Sequence, residues 1–569
     1  MTRMIETTSR ITLLLAVGLL AGCHRVPDAP PRPNIILIYV DDLDFDEIGA
    51  YDHVAQPTYS GAAIAGAGKP DGHAAPASRV LTPHIDSLAR DGAMFTRFYV
   101  TSPVCTPSRY SALTGRYASR SQPLSEKYPP GGPAWVSFNA HLGRDELTIA
   151  KALQRRGYRT GHVGKWHLTK GEPMAVRRGR HALEFDPSSP AAIEMMRTAY
   201  EERQRFVRET YGFDSVASLY IGNLGNEGWD RSLNYHNMEW VTAGALDFID
   251  KGDPKQPFFL YFAPTLLHGP YRNGVDVLDS PPGATPLGML IPPTVQPARD
   301  TIKQRVKESG FDSATQLSTW LDDAVGALLA KLDQLGIADD TLVMLVSDHQ
   351  SRGKFTLYEG ARVPALARWP RGIEAGTEIE QLSANIDLLP TFVELAGGDP
   401  NEMDIDGHSL APLLRGSGAP EREAIYLEIA FARGIVTKDW KYIAVRNPPD
   451  VPEGIEQGEG PITGDDEIWR NAESPSTTRF REREQNADPD LPNTLRAALP
   501  KNKRLSSRAR RQFPHYSDPD QLYHLGDDPF EQDNLVSRPG HAARLTKMKD
   551  LLRREIAKLP HTFGEFKTR

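Results

Sequence analysis

Cysteine is almost absent from this 569-residue chain, which has only Cys23 and Cys105. A small domain stapled by several disulfides is therefore excluded, and each thiol needs its own explanation. Long apolar runs are missing too. The one near the start, "ITLLLAVGLL", has ten residues, half of the roughly 20 that a membrane-spanning helix requires. Excess positive charge is also lacking: 66 Lys and Arg stand against 74 Asp and Glu, a formal net charge of -8, which disfavours a general nucleic-acid binder. Any anionic partner must meet local basic clusters instead. There is no internal repeat, so a solenoid or propeller is excluded. With 39% hydrophobic and 25% charged residues the composition is that of an ordinary folded protein. Its length implies one large domain plus a smaller one.

The start reads as an export signal. "MTRMIETTSR" carries Arg3 and Arg10, the short apolar core follows, and "AGC" supplies small residues at a cleavage point. "LAGC", Leu20 to Cys23, resembles the lipobox of bacterial lipoproteins. That resemblance implies a signal peptide over 1–22, lipidation of Cys23, a Pro-rich tether over 23–33 and no intramolecular disulfide. Several acyl chains, at ~0.8 kcal/mol per buried CH₂, suffice for stable anchoring. An exported protein is expected, lipid-anchored to a bacterial membrane: the outer membrane, facing the periplasm or the cell surface.

"NIILIYV" is a continuous apolar run of strand length with β-branched residues, suited to a central strand covered on both faces. It ends in "DDLD", which places Asp41 and Asp42 at the carboxyl end of a strand, where open α/β sheets put ligands. Far downstream, Leu317, Leu321, Ala324, Leu328, Leu332 and Leu335 recur at helical spacing before Gly336. "TLVMLV" then reads as another buried strand running into "SDH", Ser347 to His349, so a helix returns the chain to a parallel strand. Two strands thus end in acidic residues about 300 positions apart. "PFFLYFAP" is a third strand and leads to His268. Past "GHSLAPLLRG" the segments shorten, and "GIVTKDWKYIAV" suits a hairpin of a small antiparallel sheet. The expected class is α/β: a large, mixed, mostly parallel sheet flanked by helices over 34–418, plus a smaller α+β lobe with an antiparallel sheet over 419–569. Within that lobe, 447–515 is rich in Pro, Asn and charge and reads as a long insertion. A last helix is expected from about His541 to Leu559, with Leu545, Met548, Leu551, Leu552 and Ile556 on one face.

The stretch "CTPSRYSALTGR" carries the remaining cysteine. Pro107 suits the first turn of a helix because it lacks only an N–H that would be unpaired there. Cys105 is expected just ahead of that helix, where free N–H groups favour a bound anion, and Arg109, one turn on, adds charge. A thiolate nucleophile with a His base fits the same residues. The local sequence does not separate the two.

"CTPSR" followed by "TGR" resembles the sulfatase signature C-x-P-S-R, whose Cys is oxidised to formylglycine (3-oxoalanine) before folding. "NIILIYVDD", "GYRTGHVGKWHL", "HGPY", "VSDHQSRGKFTLYEGARVP", "GHSLAPLLRG", "TKDWKYI" and "LYHLGDDPFEQDNL" resemble sulfatase segments in the family's order. The resemblance implies an alkaline-phosphatase-like fold and hydrolysis of sulfate monoesters. One hydroxyl of the aldehyde hydrate attacks sulfur, and the other collapses to the aldehyde and expels sulfate. It further implies metal ligation by Asp41, Asp42, Asp348 and His349, with Cys105 completing the site. Three carboxylates suit Ca²⁺; the softer imidazole of His349, where many relatives have Asn, leaves Mg²⁺ or Mn²⁺ open. Asp348 would take the proton of the attacking hydroxyl, Arg109 and Lys165 would hold the hydrate, and His167 would deprotonate the second hydroxyl. In "GKWH" a strand end would put Lys165 and His167 on one face and Trp166 in the core. His268 and Lys354 resemble the pair that binds sulfate and protonates the leaving oxygen. His162 reads as structural. Gln350 and Arg352 either reach the substrate or line a loop.

No core motif names the substrate. Two basic clusters, Arg177 and Arg178 within "VRRGR" and Lys501 to Arg511, are candidates for reading a polyanion, and a tethered exported hydrolase suits a sulfated saccharide. The expected partners are that carbohydrate, a formylglycine-generating or anaerobic sulfatase-maturating enzyme, and the membrane through its lipid; no nucleic acid is expected. Alternatives are a broad arylsulfatase or a formylglycine-dependent phosphonate or phosphodiester hydrolase. A binding protein with a dead site would lack catalytic residues, and none is missing.

Overall fold

The apolar run Asn34–Val40 forms strand β1. Ile35, Leu37 and Tyr39 enter one core, and Ile36, Ile38 and Val40 the other. Side chains alternate across a strand, so the unbroken apolar run Ile35 to Val40 that follows Asn34 is what a strand covered on both faces needs. The computed structural model describes residues 32–52, 80–128, 130–171, 173, 186–224, 231–269, 277–311, 315–351, 353–418, 421–446, 513–516 and 518–566.

Seven further strands complete the main sheet: β2 (Ala93–Phe95), β3 (Arg159–Lys165), β4 (Ser215–Tyr220), β5 (Phe258–Ala263), β6 (Thr341–Ser347), β7 (Ala365–Arg368) and β8 (Thr377–Ile379), in the order β8-β2-β7-β6-β1-β5-β3-β4. Only β7 runs antiparallel to its neighbours; all other pairs are parallel. The sheet is therefore the mixed, mostly parallel one that the sequence implies. Its order decides the site, because β6, β1, β5 and β3 lie side by side. The pairing of β1 with β6 ends at Val40 opposite Ser347, so Asp41 and Asp348 leave neighbouring strand ends despite 307 residues of separation.

Two helices matter most. Helix α1 (Cys105–Thr114) is buried along its whole length and stops at Gly115, whose φ of 67° closes the turn. Helix α2 (Gln316–Gln334) delivers the chain to β6 and buries Trp320, Leu321, Ala324, Leu328 and Leu332. Leu335, counted in that stripe from the spacing, caps the helix and is 41% exposed. The stripe ends one turn early because Gly336 takes φ 65° there.

A second, antiparallel sheet runs β9 (Ile425–Ile429), β10 (Ala432–Val436), β11 (Trp440–Val445) and β12 (Asp520–His524) in that order. β10 and β11 are the expected hairpin. Helix α3 (Ala542–Ile556) seats Met548, Leu551, Leu552 and Ile556 in the same core. Phe513, inside the stretch expected to be insertion, and Tyr516 just beyond it are buried, and Phe513 stacks on Tyr358 at 4.0 Å. Aromatic burial fixes those residues where composition suggested a loop. Residues from Arg32 onward form one compact unit. Among the described residues, no helix is long and apolar enough to cross a membrane.

Candidate active site

Three strand ends are tied together by backbone before any side chain acts. Asp41 N donates to Leu266 O, Leu267 N to Asp41 O, and Asp348 N to Val40 O. Asp42 then takes φ 59°, a left-handed conformation that Asp tolerates better than most residues. Helix α1 starts with Cys105 itself rather than after it, with Ser108 N bonded to Val104 O. Pro107 accordingly sits in the first turn, where its missing N–H costs nothing.

The thiol does not fill an apolar gap. Cys105 Sγ lies 3.5 Å from Asp41 Oδ1 and 3.2 Å from His349 Nε2. Arg109 is fully buried; its Nη2 reaches Asp348 Oδ2 at 2.9 Å and Asp41 Oδ1 at 3.9 Å, and its Nη1 donates to Tyr261 OH at 3.2 Å. The Lys165 ammonium bonds both Asp41 and, at 2.6 Å, Asn223 Oδ1. Lys354 Nζ reaches Asp42 Oδ1 at 3.0 Å, with His268 Nε2 3.8 Å from the other oxygen.

These contacts set the charges. Burial alone would raise Asp41, but Lys165, His268, Arg109 and Lys354 outweigh it and hold the carboxyl well below its ordinary range. Asp348 goes the other way, raised by burial and by Asp41 beside it. Burial opposes the charged form of Lys354, yet Asp42 and its neighbours raise it, so it stays protonated at neutral pH. Burial, then Lys354, push His268 down to about 4, leaving it neutral. His268 Nδ1 contacts Gly269 O. A carbonyl accepts only, so the proton of the neutral ring belongs on Nδ1 and the lone pair on Nε2. His167 is held well below its usual value by burial and then Lys165. It does not share a strand face with Lys165: β3 ends at Lys165, and His167 takes φ 53° in the turn beyond while Trp166 is buried. The turn, not strand alternation, orients it.

Asp41, Cys105, Asp348 and His349 each offer a ligand atom within 4.8 Å of the others, all buried, and Asp41, Asp42 and His268 form a second such group. Asp42 Oδ1 is also 3.1 Å from His349 Nδ1. Three carboxylates and an imidazole converging from two adjacent strands fit a hard divalent cation. Arg109, Lys165 and Lys354 offset the three carboxylates, so a divalent ion would leave the site net positive, as an anionic substrate requires.

Gln350, expected to reach the substrate or to line a loop, does the second: it is buried, and its Nε2 donates to Glu359 O and Arg362 O. Arg352, Arg177, Arg178, the Lys501–Arg511 cluster and Cys23 lie outside the described residues. Sequence reasoning missed Asn223, Tyr261 and Asp44, whose carboxylate clasps Ser351 N at 2.7 Å and Oγ at 2.5 Å. Tyr261 and Asp44 lie inside segments read as strand and strand end, but nothing in those segments marks them out; each is found only by what it touches.

Such a strand-end cluster of carboxylates, buried cations and a thiol on this sheet suits a hydrolase of anionic esters. Residues 33–398 match the family model described as Sulfatase, and 348–462 match N-sulphoglucosamine sulphohydrolase, C-terminal. Arylsulfatase A of Bos taurus is 30% identical over 472 residues, covering 77% of this chain and 78% of its own. An ulvan-active sulfatase of Formosa agariphila is 26% identical, covering 91% and 79%. Among solved structures, BT4656 in complex with D-glucosamine-2-N,6-O-disulfate superposes with a TM-score of 0.52 at 18% identity, covering 93% and 98%. The chain belongs to the sulfatase family and is a sulfuric ester hydrolase.

Proposed function

We propose that this enzyme removes sulfate from a sulfated saccharide, with Cys105 matured to formylglycine and a divalent cation, Ca²⁺ by donor chemistry, held by Asp41, Asp42, Asp348 and His349. The observation that carries it is the convergence of Cys105, Asp41, Asp348 and His349 within 4.8 Å under the guanidinium of Arg109. The saccharide is supported by relatives named for ulvan and for a disulfated glucosamine.

Sγ marks where a hydroxyl of the aldehyde hydrate would stand. Bound among the carboxylates, the cation would offset negative charge on the ester oxygens. Asp348, its basicity raised, takes the proton of the attacking hydroxyl. Arg109 and Lys165 balance the charge that develops there. Lys354 keeps its proton and gives it to the departing sugar oxygen, whereas His268, with its lone pair on Nε2, accepts a hydrogen bond rather than donating one. His167, kept neutral, takes the proton of the second hydroxyl as sulfate leaves and the aldehyde re-forms. The same reading includes a signal peptide over 1–22, lipid on Cys23 and attachment to the outer membrane. It also includes a separate maturase, because Cys105 is fully buried once folded.

Trypsin releases Phe98–Arg109, "FYVTSPVCTPSR". Mass spectrometry of protein from its native host is expected to find CHO in place of CH₂SH, with hydrazide labelling at Cys105; a persistent thiol would refute the nucleophile. Sulfated oligosaccharides should be turned over faster than small aryl sulfates or phosphate diesters. Activity confined to aryl esters would sink the saccharide, and faster phosphodiester cleavage would favour the phosphonate and phosphodiester class.

A further inference from the structure

The reacting groups are sealed: Asp41, Cys105, Arg109, Lys165 and Asp348 are each fully buried. Among the described residues, His167, His268, Lys354, Asp42, Asn223 and two phenylalanines, Phe138 and Phe355, are partly exposed around them. Phe355 follows Lys354 directly, and its N–H donates to Pro103 O at 3.0 Å, two residues before Cys105. Its ring meets Phe138 edge-to-face at 5.5 Å, and Phe138 lies 5.7 Å from the His167 ring. The two aromatic rings therefore form a continuous apolar strip from Lys354 to His167.

Phe355 holds that position in a strained backbone, with φ at 66°. This left-handed region suits glycine and is costly for a bulky residue. Strain of that kind persists where the surroundings over-determine it, typically at functional sites. Both rings pack against the core of the small antiparallel sheet, which fixes them, yet neither is fully buried. A sulfate group bound in a pocket over the buried Cys105 would leave the ring that carries it at this rim.

We propose that Phe138 and Phe355 form an aromatic wall that grips the ring bearing the sulfate ester. Under the saccharide reading above, on which this rests, that ring is a pyranose presenting its apolar C–H face. The contact is dispersive and apolar, so it selects for a ring and sets its tilt without reading hydroxyl positions.

Phe355→Gly removes the ring and relieves the φ strain, which offsets part of the packing lost; its melting temperature is measured beside KM, and sulfate inhibition reports whether the site itself survives. Phe138→Ala tests the other half of the wall, with Phe138→Tyr as the conservative control. Both ring deletions should raise KM for the best sulfated oligosaccharide about tenfold, the equivalent of one lost aromatic contact, and Phe138→Tyr should restore it. Inhibition by inorganic sulfate, which needs only the buried pocket, should be unchanged in all three. Unaltered KM in both deletions overturns the wall, as does weakened sulfate inhibition matching the KM rise, since that would mean a collapsed pocket. If the parent turns over aryl sulfates but no saccharide, the substrate reading fails separately. The wall is then judged on KM for the aryl ester, a rise supporting it and no change refuting it.

Discussion

Arg109→Ala is expected to lose both turnover and stability. The guanidinium bridges Asp348 at 2.9 Å and Asp41 at 3.9 Å, bonds Tyr261, and lies 5.5 Å over the Tyr39 ring. All of it is buried, so removal strips Asp348 of its cation and leaves it beside Asp41, which keeps Lys165. Breaking a buried pair from one side costs about 3–5 kcal/mol, because the remaining charge is uncompensated. Turnover should fall by about 10²–10³, the usual loss when one charge-stabilising donor is deleted from a site of this kind. Arg109→Lys should rescue little: an ammonium cannot serve Asp348 and Tyr261 in two directions from one planar fork. A divalent cation between the carboxylates would partly replace the lost charge. Chelator should therefore lower the melting temperature of the alanine variant further than that of the parent, by linkage. Calorimetry with and without EDTA checks this, and identical melting in parent and variant would contradict the buried-charge account.

The second large effect is acid lability from buried histidines. His162 is fully buried between Tyr261, Trp166 and Phe213, with its ring stacked 5.2 Å from that of Tyr261. Burial, with Arg109 adding to it, pushes its pKa down to about 3. An unfolded chain protonates this imidazole near pH 6.5, whereas the folded chain resists down to about 3. Between those values the unfolded state binds one more proton, so stability falls as pH falls, by about 1.4 kcal/mol per unit. Above pH 6.5 the group contributes nothing. His141 and His236 are likewise pushed to about 3, in each case mainly by burial. Buried acids oppose them: Asp322, raised to about 8 by burial, stabilises as pH falls. His162→Phe isolates one term of this balance. It keeps the ring stack and should reduce the loss of stability between pH 6.5 and 4.5 by roughly 3 kcal/mol. Denaturant midpoints across that range measure it, and parallel curves for parent and variant would show that His162 does not titrate on unfolding.

Legibility followed the length scale of each interaction. Strand β1 was readable because six consecutive apolar residues, Ile35 to Val40, admit no exposed face, and Asp41 and Asp42 were readable because they end it. "GKWH" singled out Lys165 and His167 but misjudged the geometry: His167 is turned by a left-handed φ, which no adjacent Gly or Asn advertises. For Gln350 the sequence left substrate contact and loop lining both open, and its amide NH₂ is taken by two carbonyls of the loop that follows. Asn223 and Tyr261 were invisible, since one is 58 residues from Lys165 and the other 152 from Arg109. A single Asn or Tyr in a strand region carries no spacing to detect.

From the chain alone came the class of the sheet, the acidic strand ends, the cysteine at a helix start and the chemistry those residue types suit, because each depends on neighbours in sequence. Only the folded form decided that β6 lies beside β1 with β5 and β3 following, that Arg109 spans two carboxylates, and that Phe138 meets Phe355. Those are contacts between segments tens to hundreds of residues apart, selected by how two apolar faces pack against one sheet, and no local pattern encodes which strand becomes whose neighbour.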